Sequence, residues 1–183
     1  MAKKAVELDY DDAEAHYALG LVYHIDRDFE AAISEYQASV GLNPSLADAH
    51  HMLGAALVHS GRPEEALPHL HMAISLSPND GKIGPFLGRL GMAKFCLQAF
   101  EEAVQWARKA IRAPHIQWPT HAVLVSALAH LDRMEEAAAE LGILQELQPS
   151  VSVKFVRTQL PITDQPSLDL LTEGLRKAGV PEE

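Results

Sequence analysis

The chain has 183 residues, 48% of them hydrophobic and 22% charged, with a formal net charge of −10 and a single cysteine, Cys96. That apolar content is enough for a packed core and argues against disorder, the lone cysteine excludes an internal disulfide framework or a thiolate zinc cage, and the acidic balance disfavours broad binding to nucleic acid or anionic membrane. No run approaches the ~18 apolar residues of a spanning helix, and Met1 to Ala5 lack the apolar segment of a signal peptide, so the sequence reads as a soluble, cytoplasmic chain with no cofactor.

In chain order, residues 5–9 repeat residues 39–43 at an offset of 34, so 1–12 reads as the tail of an earlier unit's second helix and the chain as a C-terminal piece of a longer protein. Units follow at about 13–46, 47–80, 84–117 and 118–151. Leu19-Gly20, Leu53-Gly54 and Leu90-Gly91 mark their first halves; Ala32, Ala66, Ala103 and Ala137 mark their second, and Pro44, Pro78 and Pro149 their ends. The spacing is 34 except from Ala66 to Ala103, where it is 37, which places an insertion in the turn-forming residues around Asn79, Asp80 and Gly81. Within a unit the apolar residues recur at helical spacing on either side of a break, as in Leu53 and Leu57, then Ala66, Leu70, Ala73 and Ile74 around Ser60 to Arg62.

Each unit is therefore a helix hairpin, with Gly61 placed to end one helix and Pro63 to open the next. Such a pair cannot bury its apolar face alone, so neighbours must stack. Gly20, Gly54 and Gly91 each cost roughly 1 kcal/mol against Ala in a helix interior; the expected reason is close approach of two helix backbones, with Ala32, Ala66, Ala103 and Ala137 opposite. Pro68, inside a second helix, predicts a bend.

Residues 150–183 read as two capping helices. Ser150 to Leu160 carries a helical stripe of Val151, Phe155, Val156 and Leu160, which is favoured over a strand reading of Val151 to Phe155, and Pro161 stops it. A last helix, from Pro166 or Ser167 to Ala178 with Leu168, Leu171 and Leu175 on one side and Gly179 as terminator, is expected to cover the open end of the array.

The pattern closely resembles the tetratricopeptide repeat, whose 34-residue unit carries Leu-Gly in its first helix, Ala near the start of its second and Pro at its end. The likeness covers about residues 13–149 and implies an all-α, right-handed superhelix of about four helix hairpins. His16, His50, Leu87 and His121 stand where the family has an aromatic residue, and Val125 stands for a glycine. The closing stretch, Leu160-Pro161, Leu168 and Glu173 to Glu182, resembles the end of bacterial signalling proteins in which such repeats follow a class III adenylate/guanylate cyclase domain or a winged-helix domain.

Chemistry-bearing groups read as structural. His50 and His51 lie about 100° apart round a helix and His69 and His71 about 200° apart, so neither pair converges on a metal, and no nucleophile-elbow or phosphate-cradling motif occurs. His16, His50 and His121 share one repeat position, which favours packing. Cys96 reads as a small buried or groove-lining residue. Glu64-Glu65, Glu101-Glu102 and Glu135-Glu136 open second helices, where carboxylates suit the helix dipole. Arg108, Lys109, Arg112, Arg176 and Lys177 read as solvated surface.

What the resemblance implies for function is a concave wall lined by the first helices, here by Tyr17, Leu21, His24, His51, Ala55, His59, Met92, Phe95, Ser126 and His130. The Lys and Asn with which the family's chaperone-tail binders clamp a carboxylate are absent from it, whereas its Tyr, Leu, Met, Phe and His suit an amphipathic helix or extended apolar segment. The expectation is a non-catalytic scaffold that binds a protein or peptide segment and regulates an attached signalling domain. Self-association as a homodimer is the alternative, and a metal-dependent enzyme, resting on histidine count alone, a remote one.

Overall fold

The structure, a computed structural model, describes residues 11–78, 81, 83–114 and 117–183. Among them are ten α-helices and no strand. They fall into two compact units, residues 1–78 and 79–183. The first holds α1 (Ala13–Ile25), α2 (Phe29–Leu42), α3 (Ala47–His59) and α4 (Pro63–Leu76). The second holds α5 (Ile83–Cys96), α6 (Phe100–Ile111), α7 (Trp118–His130), α8 (Met134–Leu147), α9 (Val153–Gln159) and α10 (Gln165–Lys177). The readings of residues 5–9 and of Asn79 and Asp80 lie outside the described residues.

Helices α1 and α2, α3 and α4, α5 and α6, and α7 and α8 pack as hairpins, and one turn geometry makes all four. The residue between the helices has positive φ: Arg27 60°, Gly61 81°, Gln98 57° and Asp132 55°. The next N–H then reaches back to a carbonyl of the last helical turn, Asp28 to Tyr23 at 2.9 Å, Arg62 to Leu57 at 2.8 Å, Ala99 to Lys94 at 3.0 Å and Arg133 to Leu128 at 3.0 Å. This satisfies a carbonyl the helix leaves open and reverses the chain. Glycine adopts that conformation freely in the second hairpin; a side chain there costs roughly 1–2 kcal/mol, which the other three hairpins offset by packing.

Side chains and prolines start the helices. The Asp12 carboxylate accepts from the Glu14 and Ala15 N–H groups at 2.9 and 3.3 Å, and Asp28 accepts from Ala31 at 3.2 Å. Pro63 opens α4 as expected, and α4 runs on through Pro68 to Leu76. Ala32, Ala66, Ala103 and Ala137 are fully buried.

At Gly20 and Gly54 the nearest neighbours are side chains of other residues than those alanines. A Cβ on Gly20 would lie 2.5 Å from the Tyr36 ring, and one on Gly54 2.6 Å from the Leu70 side chain. At Gly91 the neighbours are backbone, Ala107 N at 3.2 Å and Ala103 O at 3.5 Å. Tyr36, Leu70 and Ala107 hold one repeat position. Where it is large, the glycine makes room for a side chain; where it is alanine, the second helix itself moves in. Backbone approach is therefore the reason for Gly91 alone.

The tail is helical, not a strand. Ser152 caps α9 by accepting the Phe155 N–H at 3.1 Å, so α9 begins later than the sequence stripe, and Leu160 turns extended ahead of Pro161. Asp164 caps α10 by accepting from Ser167 at 3.0 Å. Gly179 ends it at φ 96°, and the Val180 N–H closes on the Leu175 carbonyl at 3.0 Å. The expectation that α10 covers the open end of the array is corrected: α10 packs along α7, while Ile143 and Leu147 on α8 stay 45% and 53% exposed.

Candidate functional site

Buried histidines tie the hairpins together. His16, His50 and His121 are 2%, 7% and 3% exposed, and each meets the same position on its hairpin's second helix. His16 Nδ1 lies 2.7 Å from Glu35 Oε2, His50 Nδ1 lies 3.2 Å from His69 Nδ1, and His121 Nδ1 bonds Glu140 Oε1. His50 also donates Nε2–H to the Pro44 carbonyl at 3.0 Å, because a carbonyl only accepts. When neutral, its Nδ1 is then an acceptor, and His69 must donate. Burial, and secondarily His50, hold the His69 imidazole below its usual range. These histidines pack where an aromatic was expected and add a polar bond that the packing reading did not include.

A second set of rings occurs once within each unit. In the first, His24 stands 5.1 Å from Phe29 and 5.2 Å from His59, with Phe29 and His59 5.3 Å apart, centroid to centroid. In the second, Phe95, Phe100 and His130 hold the corresponding places at 5.5, 6.0 and 4.7 Å, His130 stacking on Phe100 within 9° of parallel. Each triangle joins both helices of one hairpin to the first helix of the next.

These contacts sort the predicted wall. Tyr17, Leu21, His24 and His51 are half-buried on α1 and α3 and present part of their surface to solvent. Ala55 and His59 are buried, as are Met92 and Phe95. His59 and Phe95 are thus corrected from wall to ring cluster. Ser126 is fully buried and His130 half-buried because α10 lies on them, so they too leave the open wall.

That seat is built from main-chain contacts. Ser126 donates Oγ–H to the Leu171 carbonyl at 2.9 Å, and His130 donates Nε2–H to the Leu170 carbonyl at 2.9 Å. Gly174 sits at the crossing: a Cβ there would lie 2.7 Å from the Ser126 carbonyl and 2.9 Å from the His130 ring. Leu168, Leu171, Thr172 and Leu175 are buried alongside. Burial pushes the Cys96 thiol up to about 11. Such a thiol is a poor nucleophile at neutral pH.

Among the described residues no group of three or more His, Cys, Asp or Glu side chains could hold a metal ion. The second-helix glutamates serve structure: Glu65 receives two bonds from Arg62 at 2.8 Å, and Glu136 receives bonds from Arg133 and Arg108, which hold its carboxyl down to about 2. No described helix is long and apolar enough to cross a membrane.

Sequence reasoning missed Phe29, Phe100 and Gly174. The first two were detectable, since His24, Phe29 and His59 recur 71 positions on as Phe95, Phe100 and His130. Gly174 carried no such signal, being outside the repeats.

Family profiles described as tetratricopeptide repeat match residues 1–47 and 47–80. Among curated proteins, the peroxisomal targeting signal receptors of Candida glabrata and Saccharomyces cerevisiae are each 34% identical over 68 residues, 37% of this chain. The matched stretch spans only 12% and 11% of those receptors. Among solved structures, Pseudomonas aeruginosa pilF superposes with a TM-score of 0.73 at 19% identity, covering 97% of this chain and 76% of that one. YrrB, a repeat protein described as having an unusual peptide-binding site, gives 0.65 at 19%, covering 97% and 90%. MamA from Desulfovibrio magneticus gives 0.70 at 22%, covering 81% and 82%. Identities this low establish a shared solenoid fold and nothing finer. None of these likenesses supports kinship with cyclase or winged-helix signalling proteins.

Proposed function

We propose that this chain, whose first 80 residues carry tetratricopeptide repeats and whose described residues keep that all-α fold, is a non-catalytic protein-interaction module. Its ligand is a peptide or helical segment of another protein. The observation that carries this reading is the first unit's wall, where Tyr17, Leu21 and His51 stay half-exposed on helices fixed by buried hairpin contacts. A rigid backbone presenting an aromatic, an aliphatic and an imidazole side chain suits an apolar segment with a few hydrogen-bonding groups. The matched receptors are named for a targeting signal and YrrB for a peptide-binding site, which supports a peptide as the class of ligand. A role as the regulatory part of a larger signalling protein rests on the likeness of the last residues alone.

Selection of a displayed random-peptide library on the whole chain tests the reading. Selected peptides are expected to lose at least about tenfold in affinity, or ~1.4 kcal/mol, with Tyr17→Ala or His51→Ala. Full affinity in both variants, with unchanged helicity and melting temperature, would remove the first wall as the site.

Self-association has its own observation: Ile143 and Leu147, one helical turn apart on α8, are 45% and 53% exposed. Sedimentation of Leu147→Glu beside the unaltered chain distinguishes the two, because only a dimer on this face dissociates in the variant.

A further inference from the structure

We propose that α10 is a resident ligand of the second unit, seated on a helix-docking site that takes a partner's helix of the same stamp when α10 leaves. The inference rests on the reading above, in which first-helix faces hold a segment of another protein, and adds a second site with a defined ligand pattern.

Three features make α10 resemble a bound segment. First, the unit grips its main chain: Ser126 and His130 donate to the carbonyls of Leu171 and Leu170 at 2.9 Å each. Carbonyl contacts recognise a helix crossing at this place rather than particular side chains, so another helix can make them. Second, specificity comes from shape. Gly174 lies where a Cβ would fall 2.7 Å from the Ser126 backbone oxygen, and buried Leu171 and Leu175 flank it. The pattern required of any occupant is glycine at the crossing, with leucine three residues before and one after. Third, the opposite face of α10 is turned to solvent: Asp169, Glu173, Arg176 and Lys177 are exposed.

Several of the restraints on departure are open to solvent. Non-helical residues 160–164 join α9 to α10, although Leu160 and Ile162 are buried. Exposed ion pairs, Arg157 to Asp169, Arg176 to Glu182 and Lys154 to Glu183, fasten α10 and the tail; salt screens such pairs. The Val153 and Lys154 N–H groups also donate to the Pro181 and Glu182 carbonyls at 2.8 and 3.1 Å. Release of α10 opens the seat while leaving the four turn-closed hairpins in place.

The probe is a fluorescent synthetic peptide of residues 164–180, added to the full chain. Unaltered chain is expected to bind it weakly, because α10 holds the seat, and Gly174→Val chain at least tenfold more tightly; a probe peptide carrying the same substitution should bind neither. Equal binding by both chains, or undiminished binding of the substituted peptide, overturns the proposal. Should Gly174→Val chain not fold, hydrogen exchange on the unaltered chain decides. Amides of α10 are expected to exchange at least tenfold faster than those of α7, in a partial opening that raised salt accelerates. Exchange of α7 and α10 in one common event would make α10 an integral part of the fold and sink the idea. Failure here leaves the first-unit selection untouched, since that experiment reads different residues.

Discussion

The first and second units share a ring triangle and a hairpin turn but differ at their walls. In the first, Tyr17, Leu21 and His51 keep surface in solvent; in the second, Ser126 is fully buried beneath α10. The difference teaches that a repeat position fixes where a side chain points, whereas what covers it depends on chain outside the repeat. Two walls built to one plan can therefore be a binding site in one unit and an interior in the other.

The most severe way to test that contrast is truncation on either side. Leu171→Ala, at a fully buried position, is expected to cost about 2–5 kcal/mol, and Leu21→Ala about 1 kcal/mol or less, both from denaturant midpoints. A comparable loss at Leu21 would mean that the first wall is as well covered as the second.

Next in size are the glycines. Gly54→Val drives a side chain into Leu70 and should cost about 1–3 kcal/mol. Gly142→Ala, with nothing within 4 Å of its new Cβ, should raise stability by up to about 1 kcal/mol. Melting temperatures of opposite sign are the expected result; the same sign would break the link between glycine and close approach.

Acid should act on the first unit through His69. Its imidazole is held below the usual range by burial and by His50, so the unfolded chain takes up the proton more readily than the folded one. The corresponding stability is complete above about pH 6.5 and declines as pH falls below it towards the lowered folded value. Urea midpoints at about pH 7.5 and about pH 5.5 should therefore differ more in the unaltered chain than in His69→Gln. An equal difference would remove His69 as the source.

The smallest effect concerns Tyr36, fully buried, whose hydroxyl meets no hydrogen-bond partner among the described residues. Burial, with Tyr17 adding to it, pushes its phenol well above the ordinary range. Tyr36→Phe removes an unsatisfied group and should stabilise by up to about 1 kcal/mol. A loss of stability would point to a polar contact made by that hydroxyl.

Much of the architecture was legible because it is periodic. The recurrence of Leu-Gly, Ala and Pro located the hairpins, and Pro161 and Gly179 located the ends of the last helices. The wall was legible only as a set of directions. His59 and Phe95 were read as groove residues because they lie on the correct side of their helices, but each also faces a ring on a neighbouring helix, and a ring contact depends on distances that one helix's periodicity does not carry. The turn residues Arg27, Gln98 and Asp132 were equally hidden, since only Gly61 announces a left-handed conformation.

Helix length, hairpin pairing and the identity of each buried stripe were determined by local sequence, because they follow from spacing within some 30 residues. The resting place of α10 was decided by tertiary structure. Its leucines would suit any apolar surface, as hydrophobic burial has no direction. Only the close approach at Gly174, with Ser126 and His130 meeting two carbonyls, selects this face of α7 over the exposed Ile143 and Leu147 of α8.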